Sequence, residues 1–316
     1  MKIAMKYCLG VDVGGTTVKM GLFQTDGVLC DKWEIPTRKE YKEDVILSDI
    51  AKAVEEKLQE RGIEKENVVG IGMGIPAAVT SDGFVKKVTN LGWENKNIKT
   101  ELEDLTQLEV AIGNDANVAA LGEMWKGGGE GYKNLVMVTL GTGVGGGIIL
   151  DGRILEGVNG GAGEIGHLCM NTEETECCGC GNKGCLEQYA SATGIARLAK
   201  NKLRDNQKDT ILDADDISAK TVFDAVKEGD ALAIEVAEEF GAYLGRALAG
   251  IGCILNPEIF VIGGGVSKAG EILFEYIQKY HDKHAFFACK NVEFALAKLG
   301  NDAGIYGAAK LVLKDM

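Results

Sequence analysis

Residues 160–187 read GGAGEIGHLCMNTEETECCGCGNKGCLE, and the rest of the chain is organised around them. A glycine-rich turn comes first, followed by Glu164 and His167 three residues apart. Cys177, Cys178, Cys180 and Cys185 follow, and Glu187 closes the run. Thiolates and a neutral imidazole suit tetrahedral Zn²⁺. Four candidates fit one ion: His167, Cys178, Cys180 and Cys185, with Cys177 left over. Glycines at 179, 181 and 184 let the backbone turn tightly between them. A disulfide cluster is the alternative, but nothing in the sequence looks secreted, and thiols of intracellular chains stay reduced. The four ligands leave no obvious slot for a substrate, so the expectation is a closed structural zinc site that holds Glu164, His167 and Glu187 in fixed relation.

The chain around this stretch has 316 residues, enough for two ordinary domains. Lys+Arg of 34 against Asp+Glu of 47 gives a net charge of −13, which disfavours nucleic acid as a partner. An anionic substrate must then be captured by backbone N–H groups or a metal. There are 44 glycines but 3 prolines, a ratio that points to functional turns and away from disordered linker. No apolar run reaches the ~20 residues that a membrane span needs. The N-terminus runs straight into a strand pattern with no signal-peptide signature, so a cytoplasmic location is expected.

Upstream, an apolar strand over Tyr7–Val13 carries Asp12 and ends in Gly14, Gly15, Thr16 and Thr17. A second strand begins at Lys19, and Thr25-Asp26-Gly27 turns into a third. A strand follows the glycines, so neither a Rossmann turn nor a Walker A loop fits, and the chain has no Gly-Lys dipeptide. Such a hairpin can still offer several N–H groups to phosphate oxygens. Residues 44–61 have helical spacing with Gly62 as the stop. Val68–Met73 reads as a buried strand, Ser81-Asp82-Gly83 as a hairpin turn, and Thr89-Asn90-Leu91-Gly92-Trp93 as a loop. A strand over Leu108–Ile112 delivers Asn114 and Asp115 to the start of a helix over Ala116–Trp125. Ligands of α/β sheets gather there; the bland alternative is that both residues are helix caps.

A second strand–glycine–strand unit follows: Leu135–Leu140, then Gly141-Thr142-Gly143 and three further glycines, then Ile148–Leu150. Its likeness to the first hairpin suggests a duplicated fold. Helices are expected over Ala190–Leu203, Ala231–Leu255, Ser267–Tyr280 and Asp302–Leu313, and strands over Glu258–Ile262 and Val292–Ala297. Gly263, Gly264 and Gly265 end the first of these strands, where a helix N-terminus would suit a nucleotide. Asp213, Asp215 and Asp216 read as a solvated loop.

Together, DVGGTTVK at 12–19, GND at 113–115, LGTGVGGG at 140–147, GGAGEIGH at 160–167, CGCGNKGCLE at 178–187 and IGGG at 262–265 resemble the ROK family of sugar kinases. The resemblance implies an α/β fold of the duplicated actin/hexokinase-like (ribonuclease H-like) ATPase kind, with two domains around a cleft. We place the domains at 1–126 and 127–316, with the last helix packing back on the first domain. It also implies ATP-dependent phosphorylation of a sugar such as glucose at its 6-hydroxyl, with Asp115 as general base. Asn90, Asn114, Glu164, His167 and Glu187 would hold sugar hydroxyls. Asp12 would act near Mg²⁺. Gly14, Gly15, Thr16, Thr17, Lys19, Gly141, Thr142 and Gly143 would serve phosphates, and Gly264 and Gly265 the adenosine. Other hexoses or N-acetylhexosamines (N-acetylmannosamine, N-acetylglucosamine, fructose, allose) are the alternative substrates. A non-catalytic sugar sensor is disfavoured, because the first strand begins within ten residues of Met1 and leaves no room for a DNA-binding domain before it. The resemblance further implies a homodimer. Ala77-Ala78 departs from the family's usual pattern after Gly74-Ile75-Pro76, in a loop expected near the sugar.

Overall fold

The computed structural model describes residues 5–39, 45–80, 82–205 and 209–313. Ser81 and Asp44, each part of an expected turn or helix, lie outside these residues. The chain divides into two compact units. The first comprises Met1–Lys133, Gly147–Ala162 and Lys298–Met316, and the second Asn134–Gly146 and Gly163–Ala297. The contiguous split expected at residue 126 is thus replaced by a discontinuous one.

The strands and helices follow in chain order. They begin with β1 (Tyr7–Val13), β2 (Thr17–Gln24), β3 (Leu29–Pro36), α1 (Ile46–Arg61), β4 (Val68–Ile75), β5 (Phe84–Val88), β6 (Trp93–Asn97), α2 (Ile98–Thr106), β7 (Val110–Asn114) and α3 (Asp115–Lys126). Next are β8 (Leu135–Leu140), β9 (Val144–Leu150), β10 (Arg153–Ile154), α4 (Glu187–Ala190), α5 (Ala192–Asp205), α6 (Ala219–Lys227) and α7 (Ala231–Leu255). The last are β11 (Ile259–Gly263), α8 (Ile272–His284), β12 (Glu293–Leu296) and α9 (Ala303–Leu313).

One sheet has the order β3-β2-β1-β4-β7 and another β10-β9-β8-β11-β12. These are the same order twice, with β8, β9, β10, β11 and β12 repeating β1, β2, β3, β4 and β7. In the first sheet the β1–β2 and β2–β3 pairs are antiparallel, while β1–β4 and β4–β7 are parallel. The β1–β2 and β8–β9 turns each present a glycine/threonine loop at the edge where the parallel strands end, which is where α/β folds place ligands. β4 is buried along nearly its whole length, as a strand covered on both faces must be. The helix α7 runs over the expected Ala231–Leu255 and stops at Asn256, which adopts the left-handed conformation that ends helices.

The helix expected over Ala190–Leu203 is present as α5, which starts at Ala192 after an extended Ser191 that separates it from the short α4. The helix expected from Ser267 is a short 3-10 turn over Val266–Ala269, ended by Gly270 at φ +91°, and α8 starts only at Ile272. The three glycines therefore lead into a tight turn and offer no long helix N-terminus to a nucleotide. Asn90 sits in the turn of the β5–β6 hairpin, exposed.

The C-terminal helix α9 packs on β1, β4 and α3 of the first unit. It comes close enough for backbone to meet backbone. A methyl group at Gly10 would land on the Ile305 carbonyl, one at Gly72 on the Ala308 carbonyl, and one at Gly307 on the Val118 carbonyl.

Candidate active site

In the first unit, strand pairing collects the candidates. Register sets Asp12 beside Gly74 on β4, and Ile75 beside Asn114 on β7, so Asp12 and Asn114 stand at the carboxyl ends of the two parallel strands that flank β4. Asn114 is the N-cap of α3. Its side-chain oxygen accepts from the N–H groups of Ala116 (3.0 Å) and Asn117 (3.2 Å), and its amide donates to the Ala77 carbonyl at 3.3 Å. Asn114 thus ties the helix start to the Ala77-Ala78 loop. Asp115 is the first residue of α3, its Oδ1 accepting the Ala116 N–H at 2.8 Å. The helix N-terminus favours its negative charge. Burial pushes the Asp12 carboxyl above its usual range; Lys19, its partner across β1–β2, opposes that shift, and the charge of Asp115 adds to it.

The hairpin between β1 and β2 is held by hydrogen bonds from Gly14 N–H to the Thr17 carbonyl (3.0 Å), from the Thr37 hydroxyl to the Gly14 carbonyl (2.7 Å) and from Thr37 N–H to the Thr16 carbonyl (2.9 Å). With these carbonyls engaged, the loop is suited to present donors to an anion.

In the second unit the cysteine stretch folds as a set. The ligand atoms of His167, Cys178, Cys180 and Cys185 all lie within 4.8 Å of one another. The Cys180–Cys185 sulfur separation is 3.7 Å, and Cys178 Sγ is 3.7 Å from His167 Nδ1. Tetrahedral Zn²⁺ with Zn–S of about 2.3 Å places its sulfurs about 3.8 Å apart, so the donor set fits that ion in chemistry and spacing. A disulfide needs sulfurs about 2.05 Å apart, and these cysteines are free thiols. Cys177 is exposed and pairs backbone with Lys183, outside the cluster. Burial pushes the Cys185 thiol up to about 12 and raises Cys178, whereas the Asn182 N–H lowers Cys180.

Glu164 and His167 come together, with His167 Nε2 3.9 Å from a Glu164 oxygen. The imidazole thus turns Nδ1 to the cluster and Nε2 to Glu164. Glu187, first residue of α4, joins the cluster to the second hairpin. Its Oε1 accepts from Cys178 Sγ at 3.4 Å and its Oε2 from the Val144 N–H at 3.0 Å. The cysteine loop is clasped to α4 and α5 by Glu174, which accepts from the Tyr189 hydroxyl (2.6 Å) and Arg197 (2.9 Å). Although burial opposes it, these donors hold the Glu174 carboxyl down to about 2.

Beside the second hairpin lies a cavity of about 350 Å³ whose lining includes Ala192, Ser218, Phe223, Gly265, Val266 and Lys268. Gly264, at φ +82°, packs against the Leu140 backbone at the base of the hairpin. The structure therefore brings Gly264, Gly265 and the Gly141–Gly143 loop to one place in the second unit. Ser218, Phe223 and Lys268 were missed by the sequence reading. Ser218 caps α6 in a reciprocal hydrogen-bond box with Thr221, and Ser-x-x-Thr ahead of an apolar stripe was the available signal. The sugar-binding candidates divide between the units: Asn90, Asn114 and Asp115 in the first, Glu164, His167 and Glu187 in the second. No helix among the described residues is long and apolar enough to cross a membrane.

Comparison with known proteins follows the same lines. The chain is 47% identical over 313 residues to a glucokinase of Halalkalibacterium halodurans, covering 97% of this chain and 95% of that one. Among solved structures, the ROK hexokinase of Thermus thermophilus superposes with a TM-score of 0.79 at 30% identity, covering 97% of both chains. A ROK family glucokinase of Streptomyces griseus, in complex with glucose and AMPPNP, gives a TM-score of 0.71 at 31% identity, covering 96% of this chain and 98% of that one. The ROK family model matches residues 8–315, and the chain belongs to that family.

Proposed function

We propose that this chain transfers the γ-phosphoryl group of ATP to the 6-hydroxyl of glucose. The observation that carries the chemistry is the division of labour at the start of α3. Asn114 does the capping, so the Asp115 carboxylate beside it is not required to hold the helix. Asp115 takes the proton of the attacking hydroxyl as its oxygen bonds to the γ-phosphorus and ADP leaves. Phosphoryl transfer asks for positioning and charge stabilisation more than for covalent chemistry. Asn114, Glu164, His167 and Glu187 hold sugar hydroxyls, with Asn90 at the edge. A site built on such hydrogen bonds rejects analogues lacking the right hydroxyl. The Gly14–Thr17 and Gly141–Gly143 loops with Lys19 serve the phosphates, and the cavity at Gly265 takes the adenosine. Support for glucose comes from the 47% identical glucokinase and the glucose and AMPPNP complex.

Asp12 is the carboxylate that would face Mg²⁺, which would supply neutralisation of phosphate charge when bound with the nucleotide. Zn²⁺ on His167, Cys178, Cys180 and Cys185 is a structural ion in this reading. Bound there, it would fix the ring of His167 and the start of α4, so that Nε2 and Glu187 would keep their places. The homodimer belongs to the same reading, its support being the family.

The test is Asp115→Asn in an ADP-release assay over a panel of sugars. A helix-supporting Asp tolerates Asn, which caps about as well. A general base does not, and kcat should fall on the order of 10²–10⁴-fold. Glucose affinity and melting temperature should change little. Turnover near that of the wild type would refute the assignment, and release of ADP with another hexose in preference to glucose would move the substrate.

A further inference from the structure

The segment that follows the cysteine cluster reaches back to the second glycine hairpin at three points. Val144 N–H donates to Glu187 Oε2 (3.0 Å), Ala192 N–H to the Gly141 carbonyl (2.8 Å), and the Thr193 hydroxyl to the Thr142 carbonyl (2.7 Å). In a trans peptide the carbonyl and the following N–H point in opposite directions. Holding the Gly141 carbonyl therefore aims the Thr142 N–H, and holding the Thr142 carbonyl aims the Gly143 N–H. Both N–H groups are turned away from the protein donors that grip the carbonyls.

The grip of Thr193 is itself ordered. Gly194 N–H donates to Ser191 Oγ at 2.9 Å, and Ser191 Oγ lies 2.9 Å from Thr193 Oγ1. The Thr193 proton is spent on Thr142, so its oxygen accepts from Ser191. A directed chain thus runs from the Gly194 N–H through the Ser191 and Thr193 hydroxyls to the Thr142 carbonyl. Bonds in such a chain polarise one another. Ser191 is fully buried, which fixes the inner end, while Thr193 is exposed at the outer end. Ser191, directly before α5, thus caps that helix by accepting the Gly194 N–H, and it passes its own proton on to the surface threonine.

We propose that Thr193 is a positioning residue for the phosphoryl donor: it orients the Thr142–Gly143 peptide so that its N–H meets a phosphate oxygen of the nucleotide. The inference rests on the kinase reading and adds to it a residue outside every glycine motif. A free Thr142 carbonyl could rotate its lone pairs toward the phosphate, and the loop would then repel the anion it is meant to hold.

The experiment is calorimetric binding to the full chain of two probes, Mg·AMPPNP and adenosine, for the wild type, Thr193→Val and Thr193→Ser. Valine keeps the shape and loses the hydroxyl; serine keeps the hydroxyl. Thr193→Val should weaken Mg·AMPPNP about fivefold or more and leave adenosine and glucose binding unchanged, with KM for Mg·ATP rising more than kcat falls. Thr193→Ser should restore wild-type binding. Unchanged Mg·AMPPNP affinity in Thr193→Val would overturn the proposal, as would an equal loss for adenosine, which would mark a general structural role. A wild-type chain that binds no Mg·AMPPNP would instead overturn the kinase reading on which the proposal stands.

Discussion

Asp12 shows what a single residue in this site costs. Burial raises its carboxyl, Asp115 adds repulsion, and Lys19 compensates only in part. A carboxyl whose folded pKa lies above its unfolded value binds protons more tightly in the native state, so folding stability falls as pH rises through that window. The penalty is complete above the folded pKa and absent below about 3.8. Asp12→Asn removes it. The variant should melt higher than the wild type at neutral pH, and the gap should close as pH is lowered toward 4. A melting-temperature series over that range checks this, and an Asp12→Asn variant that melts lower at pH 7 would contradict the assignment of net desolvation. Activity should fall in the same variant, since strained or poorly solvated groups persist where function needs them. Glu123 is the contrasting case. Wholly buried, it accepts N–H bonds from Gly128 (2.7 Å), Lys298 (2.9 Å) and Leu299 (2.8 Å), so its burial is compensated.

At the scale of elements, α9 is held by the absence of side chains. Gly72 and Gly10 on the sheet, and Gly307 on the helix, let backbones touch. Gly72→Ala must move α9 away from β4, and overpacking of that kind costs about 1–3 kcal/mol or more. Gly250 is the control. It lies within α7, and a Cβ there would meet nothing within 4 Å. Gly250→Ala should stabilise by about 0.5–1 kcal/mol through helix propensity and backbone entropy. Urea unfolding of the two variants should give opposite signs. Equal effects would mean that α9 is not packed through its glycines.

For the whole molecule, the ion proposed for the cysteine cluster is a source of order beyond the packing of the chain. The purified protein should carry about one zinc per chain. Chelation should lower the melting temperature and glucose affinity together, because the cluster holds His167 and Glu187. Cys178→Ser should do the same, whereas Cys177→Ser, outside the cluster, should keep its metal. Elemental analysis of the two variants checks the ligand register, and metal retained in Cys178→Ser but lost in Cys177→Ser would shift it by one. The net charge of −13 leaves little basic surface, so in the proposed reading phosphate capture falls to backbone donors and bound cations.

The sequence by itself determined the pieces whose information is local. The metal cluster spans 19 residues and its ligands meet because glycines turn the chain between them. The two hairpins were legible because strand, glycine/threonine turn and strand are contiguous, and α7 because an amphipathic repeat ends at a left-handed Asn256. Asn114 as a cap was legible as one of two readings, since strand end and helix start adjoin there. Only the tertiary structure decided the rest. It ran the unit boundary through β9 and gave Glu123 partners about 175 residues away. It also set the Thr193 hydroxyl on a carbonyl 51 residues earlier in the chain. The reason is physical. Periodicity and turn chemistry report interactions among neighbours in sequence, whereas a glycine that admits a distant helix, or a hydroxyl that grips a distant peptide, looks like any other glycine or threonine until the chain has folded around it.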